Sequence, residues 1–387
     1  MKNRTKLITV ICSMILLVGV LTSVSQRIYG IHMGRISEIE KIPVFFPPKV
    51  NGIRVDITAK EEHEKELEEF QNIEIKIDEA LVRLIPGNTF KVYICSYTDL
   101  WNFHYENKNG ILKIGDEKNA KYTKGRDYFT TSGLWNIPEN RIDIYYPSGT
   151  QFQTVKIFNE YGDTRINNIA TNTLDLNMHS GNAIVENIRA KNMDLKVDYG
   201  DLTLACPSDF QGEQAAFALH SGDLSVTDLY CKNEIKIQSE YGDFIGKRLS
   251  GASLDVKSHS GDVELINIQS DKITVSNNYG DIGIQSLTAQ ELQIESQNGD
   301  VNVSGDLGIN TTVTSQNGDV KLNLAGEKSA YEYMLSSNCG EFFVNGTAVE
   351  IIMNGERSDS IQGGAGAKNK IKAQSSNGDI YLSFGKK

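Results

Sequence analysis

Residues 160–205 read EYGDTRINNIATNTLDLNMHSGNAIVENIRAKNMDLKVDYGDLTLA. Three times in this stretch a small or aromatic residue precedes a glycine, and Asp or Asn follows it: Tyr161-Gly162-Asp163, Ser180-Gly181-Asn182 and Tyr199-Gly200-Asp201. The motif continues to the C-terminus, with further glycines at Gly222, Gly242, Gly261, Gly280, Gly299, Gly318, Gly340 and Gly378. The successive intervals are 19, 19, 22, 20, 19, 19, 19, 19, 22 and 38 residues, and the last reads as two coils of 19 with one marker lost. A fixed period near twenty residues is the mark of a solenoid.

Alignment on the glycines supports a β reading. Five residues before Gly stand Ile157, Leu176, Leu195, Phe217, Ile237 and Val256; two after it Leu202, Leu224, Phe244 and Val263; four after it Ile166, Val185, Leu204 and Val226. Alternation on both sides of the glycine predicts two short strands per coil with apolar side chains inward. The expected fold is all-β, a parallel β-solenoid or β-helix of roughly 19–22-residue coils, eleven or twelve of them. No leucine-rich, collagen or heptad period competes.

Each glycine supplies a positive φ at a corner. The residue after it is acidic at Asp163, Asp201, Asp223, Asp243, Asp262, Asp281, Asp300, Asp319, Glu341 and Asp379. Stacked carboxylates repel unless each has a partner, and the expectation is that each accepts backbone N–H bonds at its own turn. Calcium between carboxylates is the alternative, but the nonapeptide pattern of calcium-binding repeats is missing.

Two residues before Gly runs a second column: Glu160, His179, Asp198, His220, Glu240, His259, then Asn278, Gln297, Gln316 and Asn338. Beside it Tyr161, Tyr199, Tyr241 and Tyr279 alternate with Ser180, Ser221 and Ser260. The true period is therefore a pair of coils. Each ring can spread over the small serine next door, while acid and imidazole form an ion ladder that favours charged histidine. Glu160, His179, Asp198, His220, Glu240 and His259 are also the candidates for a divalent metal, although a solvated cross-strand ladder accounts for them without one. Acidification to about pH 4 is expected to loosen this segment.

Outward from the repeat, the N-terminal side gives an address. Lys2, Arg4 and Lys6 form a basic tail (1–6), and residues 7–26 carry no charge. Twenty helical residues reach about 30 Å, enough to cross a bilayer, with the bulk of the chain outside. The rival is a cleaved signal sequence, with small residues at Ser23-Val24-Ser25. Bulky Ile11 argues against lipid attachment at Cys12.

A juxtamembrane linker (27–69) includes Pro43, Pro47 and Pro48 and the charged run Ala59–Phe70, read as a short solvated helix. Strands are expected at Ile73–Ile77, Leu81–Ile85, Phe90–Ile94, Gly110–Ile114 and Arg141–Tyr145, with a loop over Lys118–Ile137. The domains are thus an N-terminal strand region (70–150) and the solenoid (151–387).

Composition agrees. Among 387 residues there are 34 glycines and 7 prolines, and only Pro207 lies beyond residue 150, as ladders that exclude proline require. The net charge of −11 argues against a nucleic-acid partner. Cys95, Cys206, Cys231 and Cys339 lack zinc spacing. A Cys206–Cys231 disulfide is conceivable if neighbouring turns meet, but free buried thiols are preferred.

No GxSxG, HExxH, P-loop or dinucleotide motif occurs. His-Ser-Gly recurs at His179, His220 and His259, but adjacent strand residues point apart, so His and Ser do not form a nucleophile–base pair. A polysaccharide-acting enzyme would need carboxylates concentrated in one groove.

From about Phe70 onward the chain resembles the putative-adhesin family of bacterial envelope proteins, a β-solenoid domain of unknown function. The resemblance rests on NIEIKIDEALVRLIPG (72–87), NGILKI (109–114), RIDIYYPSGTQFQTVKIFNEYGD (141–163), the run of xGD coils and GGAGAKNKIKAQSSNGDIYLSF (363–384). It implies a membrane span and a role in adhesion or envelope stress, and it carries over no catalytic residues and no cofactor. The Lys118–Ile137 insertion and the His–acid column depart from a generic member. The expected protein is a membrane-tethered extracytoplasmic interaction or sensing module, its partner an envelope polymer or protein. The alternatives are a polysaccharide-acting enzyme and a passive spacer.

Overall fold

The structure, a computed structural model, describes residues 61–96, 101–118, 140–349, 352–353, 356–357 and 359–385. The basic tail, the apolar segment 7–26, most of the linker and most of the Lys118–Ile137 loop lie outside these. Among the described residues no helix is long and apolar enough to cross a membrane.

All the described strands but two join one 28-stranded sheet. A typical coil is a long strand, a glycine corner and a short strand: Arg189–Tyr199, then Gly200, then Leu202–Ala205. In it Ala190, Met193, Leu195, Val197, Leu202 and Leu204 are buried, so the alternation seen in the sequence is the inside–outside alternation of the coil. Successive coils pair in parallel and in register, with Leu176 against Leu195 and Val185 against Leu204. Each aliphatic side chain therefore stacks on its equivalents above and below, in one continuous core.

The glycine corner needs glycine for two reasons. Gly222 has φ +135°, and a Cβ there would lie 2.1 Å from the Gly200 carbonyl oxygen of the preceding coil. The opposite corner has no glycine rule. It is turned by Asn168, Asn187, Asp228, Arg248, Asn267 and Ser286, all at φ of 52–57°. Asn and Asp tolerate this left-handed region best. A buried apolar residue follows each, as Ile169, Ile188 and Leu229 do. This second column was visible in the sequence six residues after Gly, as Asn or Asp at four of these six positions with Ile or Leu after every one, and the glycine alignment overlooked it.

The interval of 38 residues does not mark a lost coil. The C-terminal coil, Asn369–Asn377 and Ile380–Gly385, lies between the Gly318 and Gly340 coils. Its first strand pairs in parallel with Val301–Asn317 and with Tyr331–Ser337. Its second pairs with Val320–Ala325 and with Phe342–Val344. The N-terminal end repeats this arrangement: Asn72–Glu79 and Leu81–Gly87 sit between the Gly162 coil and an outer coil made of Ile111–Lys118 and Arg141–Pro147.

At each end the outermost coil is covered by antiparallel strands. Trp101–Lys108 and Lys91–Ser96 cover one, Ser360–Gly363 and Thr347–Val349 the other. Open parallel edges template aggregation, and an antiparallel cover ends the ladder.

The charged run expected to be a helix is a strand. Glu61–Glu66 pairs antiparallel with Lys91–Ser96 and is exposed from Glu62 to Glu66. Lys91 Nζ donates to Glu64 at 2.7 Å and Tyr93 Oη to Glu62 at 2.6 Å. An isolated helix here would bury little beyond Leu67 and Phe70. A strand satisfies the open edge of Lys91–Ser96, and its charges suit an outermost position. The expected strands from Ile73 to Tyr145 are all present, and Trp101–Lys108 was not expected.

Candidate functional site

Just before the glycine corner the long strand leaves the core. Three residues before Gly the side chain is still inside; the next two face solvent. Parallel register then stacks these outer positions coil on coil: Tyr161 against Ser180, Ser180 against Tyr199, Tyr199 against Ser221, Ser221 against Tyr241, Tyr241 against Ser260 and Ser260 against Tyr279.

The serines leave room, and the histidines fill it. Each imidazole sits between two tyrosine rings, edge to face. His179 has its ring centre 5.7 Å from Tyr161 and 5.4 Å from Tyr199; His220 lies 5.3 Å from Tyr199 and 5.8 Å from Tyr241; His259 lies 5.9 Å from Tyr241 and 5.7 Å from Tyr279. Interplanar angles run from 78° to 90°. Seven rings thus form one unbroken zigzag, the geometry that the ring quadrupole favours. Tyr161, Tyr199, Tyr241 and Tyr279 remain 46–51% exposed.

The acids of the column bind across coils. His179 Nδ1 is 3.2 Å from Asp198 Oδ2, and His220 pairs with Glu240. His259 Nδ1 takes the Asn278 amide at 2.9 Å. Lys196 adds a contact to Asp198 at 3.1 Å. Burial pushes the Asp198 carboxyl up, but the bonds from His179 and Lys196 outweigh it and hold the group below its usual range. Glu160 stands at the head of the column. The six metal candidates therefore share one stripe, four of them as the pairs His179–Asp198 and His220–Glu240, and among the described residues no three His, Cys, Asp or Glu side chains gather closely enough to hold a metal ion.

The acids after Gly do not cap their own turns as expected. The aspartates accept the N–H of the next coil instead: Asp163 from Asn182 at 2.9 Å, Asp201 from Asp223 at 2.9 Å, Asp281 from Asp300 at 2.8 Å, and Asp319 from Asp379 at 2.9 Å. The positive φ at glycine aims the following N–H along the rod, so the nearest acceptor belongs to the neighbouring coil.

Inside the same corner runs a polar column that the sequence reading missed. Asn159, Ser239, Ser258, Asn277, Ser296, Ser315, Ser337 and Ser375, three before Gly, are buried. Asn277 Nδ2 donates to the carbonyls of Gly261 and Gly280, and Ser375 Oγ to that of Gly318. Ser or Asn recurring at one register position was the available signal.

Beyond Tyr279 the tyrosine column continues as Asn298, Asn317 and Asn377, linked amide to amide at 3.0 and 2.9 Å. Toward the other end, pairing of Ile77 with Asn159 and of Glu79 with Tyr161 places Asp78 opposite Glu160. The Asp116 carboxylate accepts the Asp78 N–H at 2.9 and 3.1 Å. Burial raises its pKa, against the lowering effect of that bond. Asp78, Asp116 and His104 line a cleft of about 740 Å³, whose floor carries the Lys113–Glu74 and Lys156–Asp175 pairs at 3.0 and 3.8 Å.

Among the described residues the cysteines are free. Cys95, Cys206 and Cys231 are buried and Cys339 is exposed. Burial pushes the Cys206 and Cys231 thiols up to about 12.

A family model described as Toastrack DUF4097 matches residues 70–228 and again residues 206–383. Similar solved structures include a putative cell adhesion protein from Clostridium sporogenes, at 10% identity over 85% of this chain and 100% of that one, with a TM-score of 0.22. A putative adhesin from Bacteroides fragilis is 10% identical over 84% of this chain and 95% of that one, TM-score 0.23. One from Parabacteroides distasonis is 9% identical over 68% of this chain and 92% of that one, TM-score 0.26. No curated protein matches.

Proposed function

The chain belongs to the Toastrack DUF4097 family, and from that premise we propose that it is an interaction and adhesion module of the cell envelope, held at the membrane by residues 7–26 with its bulk outside. One observation carries the reading. Of the six large apolar or aromatic side chains exposed among the described residues, four are Tyr161, Tyr199, Tyr241 and Tyr279, in a single line. A contiguous line of exposed rings, unlike scattered ones, marks an interaction surface, and tyrosine, with an apolar body and a polar tip, is favoured at interfaces. A regular line of them suits a partner that is itself long or repeated, because each added contact acts at high effective concentration.

The test is retention of envelope material by the full-length chain. Wild type immobilised in detergent should hold an envelope polymer or protein that the combined Tyr199→Ala, Tyr241→Ala variant releases. External protease on intact cells should remove residues 61–385 while the N-terminal segment stays with the membrane. Equal retention by both proteins would count against the stripe, and protection from protease against the orientation.

A second reading, glycan hydrolysis, is favoured by one feature: Asp116, with its raised pKa, beside Asp78 in a cleft. A carboxyl whose pKa is raised by burial, next to a second carboxylate, resembles the acid–base arrangement of glycosidases. Reducing ends released by wild type and not by Asp116→Ala would establish it.

A further inference from the structure

We infer that the Tyr–His stripe is a track for an uncharged, extended β-1,4-linked polysaccharide lying parallel to the rod axis; the inference rests on the interaction reading above and names its ligand class.

The spacing is the first argument. The tyrosines occupy alternate coils, so consecutive rings are about 9.6 Å apart along the axis, twice the strand separation. In an extended β-1,4-linked chain each sugar is turned over relative to the last. The same apolar face therefore returns every second sugar, after a distance close to two coils. Four tyrosines in register can each meet an equivalent face of one chain, spanning roughly seven sugars.

Pre-organisation is the second. Exposed tyrosines normally lose rotamer freedom on binding, which weakens affinity. Here His179, His220 and His259 each wedge between two rings at 5.3–5.9 Å, so the platforms are fixed before a ligand arrives. The imidazoles are fixed in turn by Asp198, Glu240 and Asn278. Between the rings, the coils of Ser180, Ser221 and Ser260, with the imidazoles packed there, stand at the level where the intervening sugar would pass.

Charge completes the argument. From residue 160 to residue 338 neither outer column contains Lys or Arg, while Glu160, Asp198 and Glu240 stand in it. Asp198 is paired with His179 and Lys196, and Glu240 with His220, so the face presents paired charges rather than the row of cations that a phosphate-linked polymer would select. Stacking on the rings with hydrogen bonds to hydroxyls needs no ligand charge.

The experiment titrates full-length protein in detergent with β-1,4-linked glucose and N-acetylglucosamine oligomers of increasing length. An α-1,4-linked glucan and polyglycerol phosphate serve as controls. Affinity should rise with each added disaccharide until four tyrosines are covered, by about tenfold or more between four and eight sugars. Tyr199→Ala with Tyr241→Ala should remove that rise, and the paired Tyr→Phe variant, which keeps both platforms, should retain it. No length dependence for either β-linked series, or equal binding of the α-linked or anionic polymer, overturns the inference. Tyrosine-dependent capture of an envelope protein with no glycan binding also overturns it, yet leaves the interaction reading standing. Absence of any tyrosine-dependent retention overturns both.

Discussion

Asp223 Oδ1 accepts the backbone N–H of Asp243, one coil further along the rod, at 2.9 Å. The same bond recurs from Asp163 through Asp319, so one edge of the solenoid is a chain of carboxylates, each bridging its own coil to the next. This explains how acids can stack at strand spacing. Each negative oxygen faces a peptide dipole of the adjacent turn, and the high dielectric of water at these exposed corners weakens the repulsion between neighbours. Where bases are near they join in, as Lys321 does between Asp300 and Asp319 at 3.7 and 3.6 Å.

The bridge needs an acceptor oxygen, not a charge. Asn182 already performs it, taking the Asp201 N–H at 2.9 Å. Asp223→Asn should therefore leave stability nearly unchanged, while Asp223→Ala should cost about 1 kcal/mol, the modest value of an exposed charge-assisted bond. Urea unfolding of the two variants side by side reads the difference.

Glycine at the corner is irreplaceable for a steric reason. Gly222→Ala combines a positive φ with a Cβ 2.1 Å from the Gly200 carbonyl oxygen, and should cost about 3 kcal/mol or more. Gly283 lies within the strand Ile282–Asn298, with the nearest contact of an added Cβ, the Val263 carbonyl oxygen, at 4.0 Å. Gly283→Ala should be neutral or slightly stabilising, by up to about 1 kcal/mol. Thermal unfolding of both separates corner from strand.

Acid should loosen the paired coils. The carboxyls of Asp228 and Asp209 are held below their usual range by bonds from Arg248 and Arg189, and that of Asp198 by bonds from His179 and Lys196 that overcome its burial. A depressed folded-state pKa stabilises above the unfolded value, about 3.9, and this stabilisation is lost as pH falls through the folded one. The melting temperature should therefore hold from neutrality to about pH 5 and fall below about pH 4. Hydrogen exchange should locate the loss in the coils from Tyr161 to Arg248. Unchanged protection there at low pH would contradict the assignment.

Asp116 should behave in the opposite sense. Burial raises its folded-state pKa, so its ionised form weighs against folding at neutral pH and ceases to do so once the group is protonated. Asp116→Asn keeps an oxygen for the Asp78 N–H, and should be the more stable protein at pH 7. The advantage should shrink as pH approaches 4, which paired melting curves at the two pH values would show.

Removal of the last coil tests the order of coils. If coils followed the chain, truncation after residue 368 would trim one end. Because Asn369–Asn377 lies between two other strands, truncation should strip partners from Tyr331–Ser337 and from Val301–Asn317 together. The expected result is loss of exchange protection from about residue 310 onward, with aggregation through the opened parallel edge.

Much of this architecture follows from the amino-acid sequence alone, because a ladder in register turns a spacing of about nineteen residues into vertical contact. The glycine period, the apolar column that includes Leu176, Leu195 and Phe217, and the stacking of Tyr161 over Ser180 over Tyr199 all follow from that rule. Three matters were left to the tertiary structure. The direction of the Asp bonds depended on where a positive φ at glycine aims the next N–H. The rotamers that wedge His220 between Tyr199 and Tyr241 depended on the space left by Ser221. The placing of the first and last coils one step in from the ends was decided by competition. Every coil edge of a regular solenoid offers the same hydrogen bonds, so the period says that coils stack without saying which coil takes which edge. At both ends the choice went to the arrangement in which antiparallel strands, among them Thr347–Val349 and the charge-flanked Lys91–Ser96, could close the open edge.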